Sequence, residues 1–285
     1  MIYISTCTMG IRHFRTFIKN ESRMDLYTRT FLHVHALIIL CFCCYMLGVL
    51  SVPGPRRNPS LATVVYETLR PASPDVEFQL DQMVVHRLDM ATSGVLVYAL
   101  TVEALKQLHL DFRERQVKKT YEALVYGHLS ESITEGEIDV ALERDPYNPP
   151  FMRIAQDKDH IFDGDQSSSS GQGKEDTEQS PRMGPTHKFF REAPKPSLTT
   201  WSLKSHEFLQ GRPVTRLELN PLTGRTHQLR VHASAALGPM VGDDIYGLKD
   251  DEQDAKLSLC LHARRLCFYH PISRAPMVFE VEPPF

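Results

Sequence analysis

The sequence predicts an α+β fold with a mixed, largely antiparallel central sheet and flanking helices. Strand-like runs are more frequent than helical runs along the 285 residues. The helical runs are intermittent and do not show the regular strand–helix–strand alternation of a parallel sheet. Apolar residues make up 42 % of the chain, which is enough to fill a sizeable core.

The predicted elements begin with a buried strand at residues 94–100, where an uninterrupted apolar run is typical of a strand covered on both faces. Residues 101–116 predict a helix, because Thr101 can cap its N terminus and apolar side chains recur at helical spacing. The remaining elements are, in chain order, strands at 119–127 and 214–222, a helix at 225–238 that ends at Gly238, and strands at 264–271 and 277–283.

Residues 1–49 differ in composition from the rest and are predicted to be an atypical N-terminal segment. The first 29 residues are basic, and residues 31–54 contain no Asp, Glu, Lys or Arg. An uncharged apolar run after a basic flank is typical of a signal anchor or another targeting segment. His33, His35 and the cysteine cluster weaken the membrane-spanning interpretation, and a buried strand pair or a disordered segment are the alternatives. Residues 50–285 are predicted to form the folded domain.

A second unusual segment, residues 157–186, is predicted to be a disordered surface insert within this domain. It is rich in Ser, Gly and acidic residues, so it cannot bury enough apolar surface to offset the entropy lost on ordering. Residues 157–178 contain seven acidic side chains and two lysines, whereas the whole chain has a net charge of −3. The remainder is therefore mildly basic, which is compatible with a nucleic-acid partner.

The six cysteines predict neither a metal site nor a disulfide framework. Cys41 and Cys44 have the spacing of half a structural zinc site, but no second pair lies near them in the sequence. Free thiols in a reducing compartment are therefore expected, and the sequence leaves open whether this is the cytoplasm or an organelle.

Three motifs carry the candidate chemistry, HRLDMATSG at 86–94, KKTYEALVYG at 118–127 and LTGRTHQLRVH at 222–232. Each has a structural explanation when taken alone, since Asp89 could form a turn and Tyr121 could be an ordinary strand aromatic. His227 and His232 lie five residues apart, so a helix does not place both on one face as metal ligands. Together, and in this order, the motifs resemble the RluA family of RNA pseudouridine synthases, most closely its RluA branch.

The resemblance spans about residues 50–285 and implies an RNA-modifying isomerase with the catalytic fold of pseudouridine synthases. Asp89 corresponds to the family's catalytic carboxylate, which permits the glycosidic bond of uridine to break and to form again through carbon 5. Whether Asp89 attacks the sugar or removes a proton from it stays open. Tyr121 would stack under the extruded uracil and assist at the proton of carbon 5. Arg230 would pair with Asp89 and keep it ionised and oriented.

The resemblance also implies an RNA-binding surface, because the nucleotide must leave its stack and its phosphates must be held. The residues expected to bind RNA are Arg87, Arg113, Arg115, Lys118, Lys119, Arg225 and His227. Arg87 would hold the RNA open around the extruded base. The expected substrate is transfer or ribosomal RNA, the expected protein is a monomer, and no cofactor or metal is expected. A catalytically inactive RNA-binding module on the same fold is the alternative.

Overall fold

Strands dominate the part of the chain that the computed structural model describes, namely residues 37–42, 50–53, 60–69, 79–156, 193–249 and 251–285. The strands are β1 (Leu37–Phe42), β2 (Ser93–Ala99), β3 (Lys118–Tyr126), β4 (Glu135–Asp139), β5 (Leu142–Arg144), β6 (Met152–Ile154), β7 (Leu198–Leu209), β8 (Arg212–Pro221), β9 (Leu261–Tyr269) and β10 (Pro276–Glu280). The helices are α1 (Leu61–Leu69), α2 (Val102–Arg113) and α3 (Gln228–Ala236), with short 3-10 helices at Leu80–Met83 and Asp254–Lys256.

Eight of these strands form one sheet. Neighbouring strands follow the order β1-β2-β9-β3-β8-β7-β4, and β10 pairs with β9. Among the described strands of this sheet, β2 and β9 run parallel and the other pairs are antiparallel. Strands β5 and β6 form a separate antiparallel pair. The predicted α+β class with a mixed, largely antiparallel sheet is thereby confirmed.

Strand β2 is buried on both faces, which explains its continuous apolar sequence. On one face Val95 and Val97 pack with Leu108 of α2, and on the other Leu96 and Tyr98 pack with α1. Burial of one large apolar side chain contributes about 1.5–3 kcal/mol, so β2 ties both helices to the sheet. The loop that precedes β2, which carries the first motif, is therefore attached to the most buried strand.

The helix ends show where local sequence decides the structure. Thr101 caps α2 as predicted, with its Oγ1 accepting the N–H of Ala104 at 3.2 Å. Helix α3 begins at Gln228, later than the predicted start at residue 225. The reason is that His227 has a left-handed backbone with φ +52°, which an α-helix does not contain.

Part of the apolar run at residues 31–54 belongs to the sheet, since Leu37–Phe42 forms β1 and pairs antiparallel with β2. Within the described residues, no helix is both long and apolar enough to span a bilayer. Residues 1–36 and the predicted insert at 157–186 lie outside the described residues. The domain division at residue 49 and the disordered insert stay predictions.

Candidate active site

A cavity of about 340 Å³ lies where the loop before β2, the start of β3 and the loop between β8 and α3 meet. Its volume falls in the range of sites that bind small molecules or single nucleotides. Five of the residues predicted from the motifs line it, namely Arg87, Asp89, Lys119, Tyr121 and Arg225. The other lining residues are His86, Leu88, Thr92, Phe112, Pro221, Thr223, Gly224, Thr226, Gln228, Leu229 and Leu261.

Asp89 lies on a turn that is held from both sides. The N–H of Thr92 donates to the carbonyl oxygen of Asp89 at 2.9 Å and closes the turn. Before the turn, the hydroxyl of Ser51 donates to the carbonyl oxygen of Leu88 at 2.9 Å and accepts the Leu88 N–H at 3.2 Å. Tyr98 of β2 donates its hydroxyl proton to the carbonyl oxygen of Ser51. The backbone that carries Asp89 is therefore fixed by the sheet.

The first motif ends at Gly94, where its backbone packs closely against β9. Its φ is +119°, and a Cβ at this position would lie 2.3 Å from the carbonyl oxygen of Ala263. The two strands therefore approach each other at a distance that only glycine permits. The preceding Ser93 reinforces the junction, since its hydroxyl lies 2.7 Å from Nδ1 of His262 in a buried hydrogen bond.

Tyr121 reaches the cavity at an irregularity in β3. The pairing of β3 with β9 shifts between Thr120 and Glu122, while Tyr121 stays opposite Leu219 of β8. An irregularity of this kind re-aims a side chain relative to the sheet. Burial raises the pKa of Tyr121, and the negative charge of Asp89 raises it further. The phenol is therefore neutral at pH 7.

Lys119 and His86 both lie in the wall of the cavity, the first as a cation and the second as a neutral ring. The N–H of Val97 donates to Nε2 of His86 at 3.1 Å, so this nitrogen carries no proton. Burial, with a smaller effect of the Lys119 charge, lowers the pKa of His86 to about 3, and its ring stacks on Phe112. Burial also lowers the pKa of Lys119, whose Nζ lies 3.4 Å from the carbonyl oxygen of Thr223. Lys119 forms no ion pair with any carboxylate of the described residues.

Gln228 shapes the loop between β8 and α3. Its Oε1 accepts the hydroxyl proton of Thr223 at 2.7 Å and the N–H of Arg225 at 3.0 Å. Its amide nitrogen donates to the carbonyl oxygen of Leu198 and to the Thr199 hydroxyl, both at 3.0 Å. This buried amide thus fixes a loop that lacks regular backbone pairing and holds Arg225 at the cavity.

Arg230 does not pair with Asp89, and the expectation of that pair was wrong. The Arg230 side chain is 3 % exposed, and its Nε donates to Oδ2 of Asp243 at 2.8 Å while a terminal nitrogen donates to Oδ1. The same nitrogen donates to the exposed Asp244 at 2.8 Å. Burial opposes the charged form, but the hydrogen bonds to Asp243 and the charges of Asp243, Asp89 and Asp244 together outweigh it and raise the pKa of Arg230. A buried guanidinium needs a carboxylate in contact, and Asp243 provides it.

His227 lies beside Arg230 and is engaged by Tyr246. The Tyr246 hydroxyl accepts the N–H of Met152 at 2.9 Å and lies 2.9 Å from Nδ1 of His227. Burial lowers the pKa of His227, although the charge of Asp89 opposes this shift. His227 does not line the cavity, and its imidazole serves to hold the start of α3 against the loop after it.

Five of the predicted RNA-binding cations are exposed and divide into two groups, whereas Lys119 lies in the cavity wall. Arg87 and Arg225 are exposed and line the cavity, so they lie at its mouth. Arg113, Arg115 and Lys118 are exposed but do not line it. They lie at the end of α2 and the start of β3, next in sequence to lining residues of both elements. We call these five exposed cations, two at the mouth and three beside lining residues in the sequence, the basic rim.

Sequence reasoning missed several residues of the site. Thr92 and His86 lie within the first motif, but nothing in the motif indicates that both line the cavity or that His86 is neutral. Asp243 and Tyr246 lie in the GDDIYG stretch, where two acids before an aromatic residue could have indicated a partner for Arg230.

Comparison with known proteins identifies the relatives of this chain. The sequence model of the RNA pseudouridylate synthase family matches residues 49–235. The dual-specificity RNA pseudouridine synthase RluA of Yersinia pestis is 35 % identical over 240 residues, which cover 84 % of this chain and 92 % of the relative. The same-named protein of Pasteurella multocida is 34 % identical over 84 % of this chain and 86 % of the relative.

Solved structures agree with this relationship. Human RNA pseudouridylate synthase domain containing 1 superposes with a TM-score of 0.55 at 32 % identity, covering 78 % of this chain and 74 % of the other. Human RNA pseudouridylate synthase domain containing 4 superposes with a TM-score of 0.59, covering 87 % and 86 % of the two chains. At 21 % identity the second comparison supports the fold alone.

Proposed function

The chain belongs to the RNA pseudouridine synthase family, and we propose that Asp89 is the catalytic carboxylate with which it isomerises uridines of transfer or ribosomal RNA. The observation that carries the proposal is the meeting of Asp89 and Tyr121 in one cavity. The first motif and the second motif are far apart in the sequence, and the loop before β2 and the start of β3 bring them together.

The reaction breaks the bond between C1′ of the ribose and N1 of uracil and forms a bond from C1′ to C5. The proton on C5 leaves and N1 gains a proton, so substrate and product are isomers and no oxidant or reductant takes part. Asp89 acts on the sugar during this exchange, as a nucleophile or as a base. Tyr121 supplies an aromatic face on which the detached uracil stays stacked while it turns. Because its phenol is neutral, Tyr121 assists at C5 through its hydroxyl and not as a phenolate.

A uridine within structured RNA reaches this cavity only after leaving its stack, which costs a few kcal/mol. The basic rim offsets this cost by binding phosphates on either side of the extruded nucleotide, with Arg87 and Arg225 at the mouth. Lys119 lines the cavity, and in this proposal its ammonium group meets a phosphate of the extruded nucleotide itself.

The proposal is tested by comparing Asp89→Asn with wild-type protein on transfer and ribosomal RNA transcripts. We expect the substitution to abolish pseudouridine formation while RNA affinity and thermal unfolding stay close to wild type. Asp81→Asn is the matched control, because Asp81 is an exposed acid outside the cavity. Conversion by Asp89→Asn at the wild-type rate would refute the catalytic role.

The RNA class is tested separately by mapping pseudouridine in cellular RNA with and without the protein. Sites that disappear from transfer RNA, ribosomal RNA or both identify the substrate. If wild-type protein binds RNA tightly but no site depends on it, the inactive RNA-binding alternative replaces the proposal.

A further inference from the structure

One buried polar group of the cavity is left without a partner. Thr92 is 7 % exposed, and its Oγ1 makes no hydrogen bond within the described part of the chain. Folded proteins satisfy nearly all of their buried polar side chains, so this hydroxyl needs a physical explanation. Because Thr92 lines the cavity, a molecule bound there can supply the missing partner.

Two other hydroxyls that contact this loop or the strand after it are used within the protein. Ser93 bonds Nδ1 of His262 at 2.7 Å, and Ser51 bonds both backbone groups of Leu88. These two serines hold the loop and the strand after it in place. Thr92 contributes to the fold through its N–H, which closes the Asp89 turn, whereas its hydroxyl takes no part in that bond.

The position of Thr92 favours contact with the sugar over contact with the base. Thr92 and Asp89 lie on one turn, and in the proposed function Asp89 acts on the ribose while Tyr121 carries the base. The hydroxyl of Thr92 can donate and accept, and the 2′-hydroxyl of a ribose has the same two capacities. Thr92 would therefore bond the 2′-hydroxyl, which is the group that distinguishes RNA from DNA.

We propose that the hydroxyl of Thr92 hydrogen-bonds the 2′-hydroxyl of the target nucleotide and makes Thr92 a specificity residue for ribose. The inference rests on the proposed function, because it requires a uridine in the cavity with its sugar at the Asp89 turn.

The experiment is a double-mutant cycle that crosses Thr92→Val with a 2′-deoxy substitution at the target uridine of a transcript that wild-type protein converts. Affinities are measured in an Asp89→Asn background, where no product forms. Valine keeps the shape of threonine and removes its hydroxyl. We expect each change alone to weaken binding about 5- to 30-fold, as for one desolvated hydrogen bond, and both together to weaken it no more than either alone.

Two further variants serve as controls for the cycle. Thr92→Ser keeps the hydroxyl and should bind within about threefold of its parent, since only a methyl group is lost. Thr200→Val makes the same chemical change on β7 outside the cavity and should bind like its parent. If Thr92→Val does not fold, Thr92→Ala replaces it in the cycle.

The contact is refuted if Thr92→Val binds the ribose substrate like its parent, or if it loses equal affinity for the ribose and the 2′-deoxy substrate. Failure of the inference and failure of the proposed function are distinguishable. If the wild-type enzyme is active but the affinity losses of Thr92→Val and the 2′-deoxy substitution add up, only the Thr92 contact is overturned. If the wild-type protein converts no transcript, the proposed function and the Thr92 contact are both overturned.

Discussion

Asp243→Asn tests how strongly the buried pair of Arg230 and Asp243 stabilises the protein. The substitution keeps the size of the side chain and removes the negative charge that opposes the guanidinium. Asp243 also accepts the N–H groups of Ile245 and Tyr246 through Oδ1, so it fixes the loop as well as Arg230. The variant therefore leaves the buried cation with a neutral partner at position 243 and with the exposed Asp244 as its remaining carboxylate.

The expected loss in the free energy of unfolding follows from the burial of both side chains. The side chains of Arg230 and Asp243 are 3 % and 0 % exposed, and removing one partner of such a pair costs about 3–5 kcal/mol in the free energy of unfolding. For a chain of this size that loss lowers the melting temperature by about 6–20 °C. Asp244→Asn is the matched control, since Asp244 bonds the same guanidinium but its side chain is 75 % exposed. An exposed pair contributes about 0–1 kcal/mol.

Urea unfolding of the two variants at pH 7 gives the two free-energy losses directly. Equal losses for Asp243→Asn and Asp244→Asn, or a loss below about 1 kcal/mol for Asp243→Asn, would refute the reasoning. Although burial opposes ionisation, the hydrogen bonds from Arg230 lower the pKa of Asp243 below its ordinary 3.8. The stability from a depressed pKa is fully present above the ordinary value and is lost as the pH falls through the folded-state value. The difference between wild type and Asp243→Asn should therefore stay constant from about pH 7 to about pH 5.

Two further predictions concern the backbone around Asp89. Gly94→Ala should cost at least about 3 kcal/mol in the free energy of unfolding, because the new Cβ would combine an unfavourable φ with a clash against Ala263. Gly127→Ala is its control, since Gly127 has φ +90° but no atom within 4 Å of the position that a Cβ would take, and equal losses in thermal unfolding would contradict the close approach of β2 and β9. Ser51→Ala should lower the rate of pseudouridine formation about tenfold at saturating RNA, because the backbone of Leu88 loses both hydrogen bonds that fix the Asp89 turn. Ser205→Ala removes a comparable hydrogen bond, to Glu207 on β7, and a rate loss equal to that of Ser51→Ala would contradict the role of Ser51 in fixing the Asp89 turn.

The sequence predicted the elements whose patterns are local. The uninterrupted apolar run of β2 and the cap at Thr101 could be read directly, because burial on both faces and helix capping each act within a few residues. The run at residues 31–54 was ambiguous, since an apolar strand and a membrane segment have the same composition. Pairing of Leu37–Phe42 with β2 decides for a strand in that part of the run.

Long-range partners of the site could not be predicted. Arg230 meets Asp243 because the chain turns sharply at Gly242, whose φ is +69° and where a Cβ would lie 2.2 Å from the carbonyl oxygen of Ser258. That turn depends on the segment before β9, which no pattern around Arg230 indicates. The unpartnered hydroxyl of Thr92 was equally hidden, because a count of hydrogen bonds needs all neighbouring side chains in three dimensions.

The pairing of Arg230 with Asp243 has a consequence for Asp89. A carboxylate held by a bidentate guanidinium has its oxygens occupied and oriented towards the cation. Asp89 makes no ion pair with any other described residue, so its oxygens remain available to the sugar of a bound nucleotide. Arg230 still acts on Asp89 through its charge, as the influence of Asp89 on the pKa of Arg230 indicates. Asp243 thus fixes Arg230 in place and leaves the carboxylate of Asp89 without a competing ion pair among the described residues, as its proposed role requires.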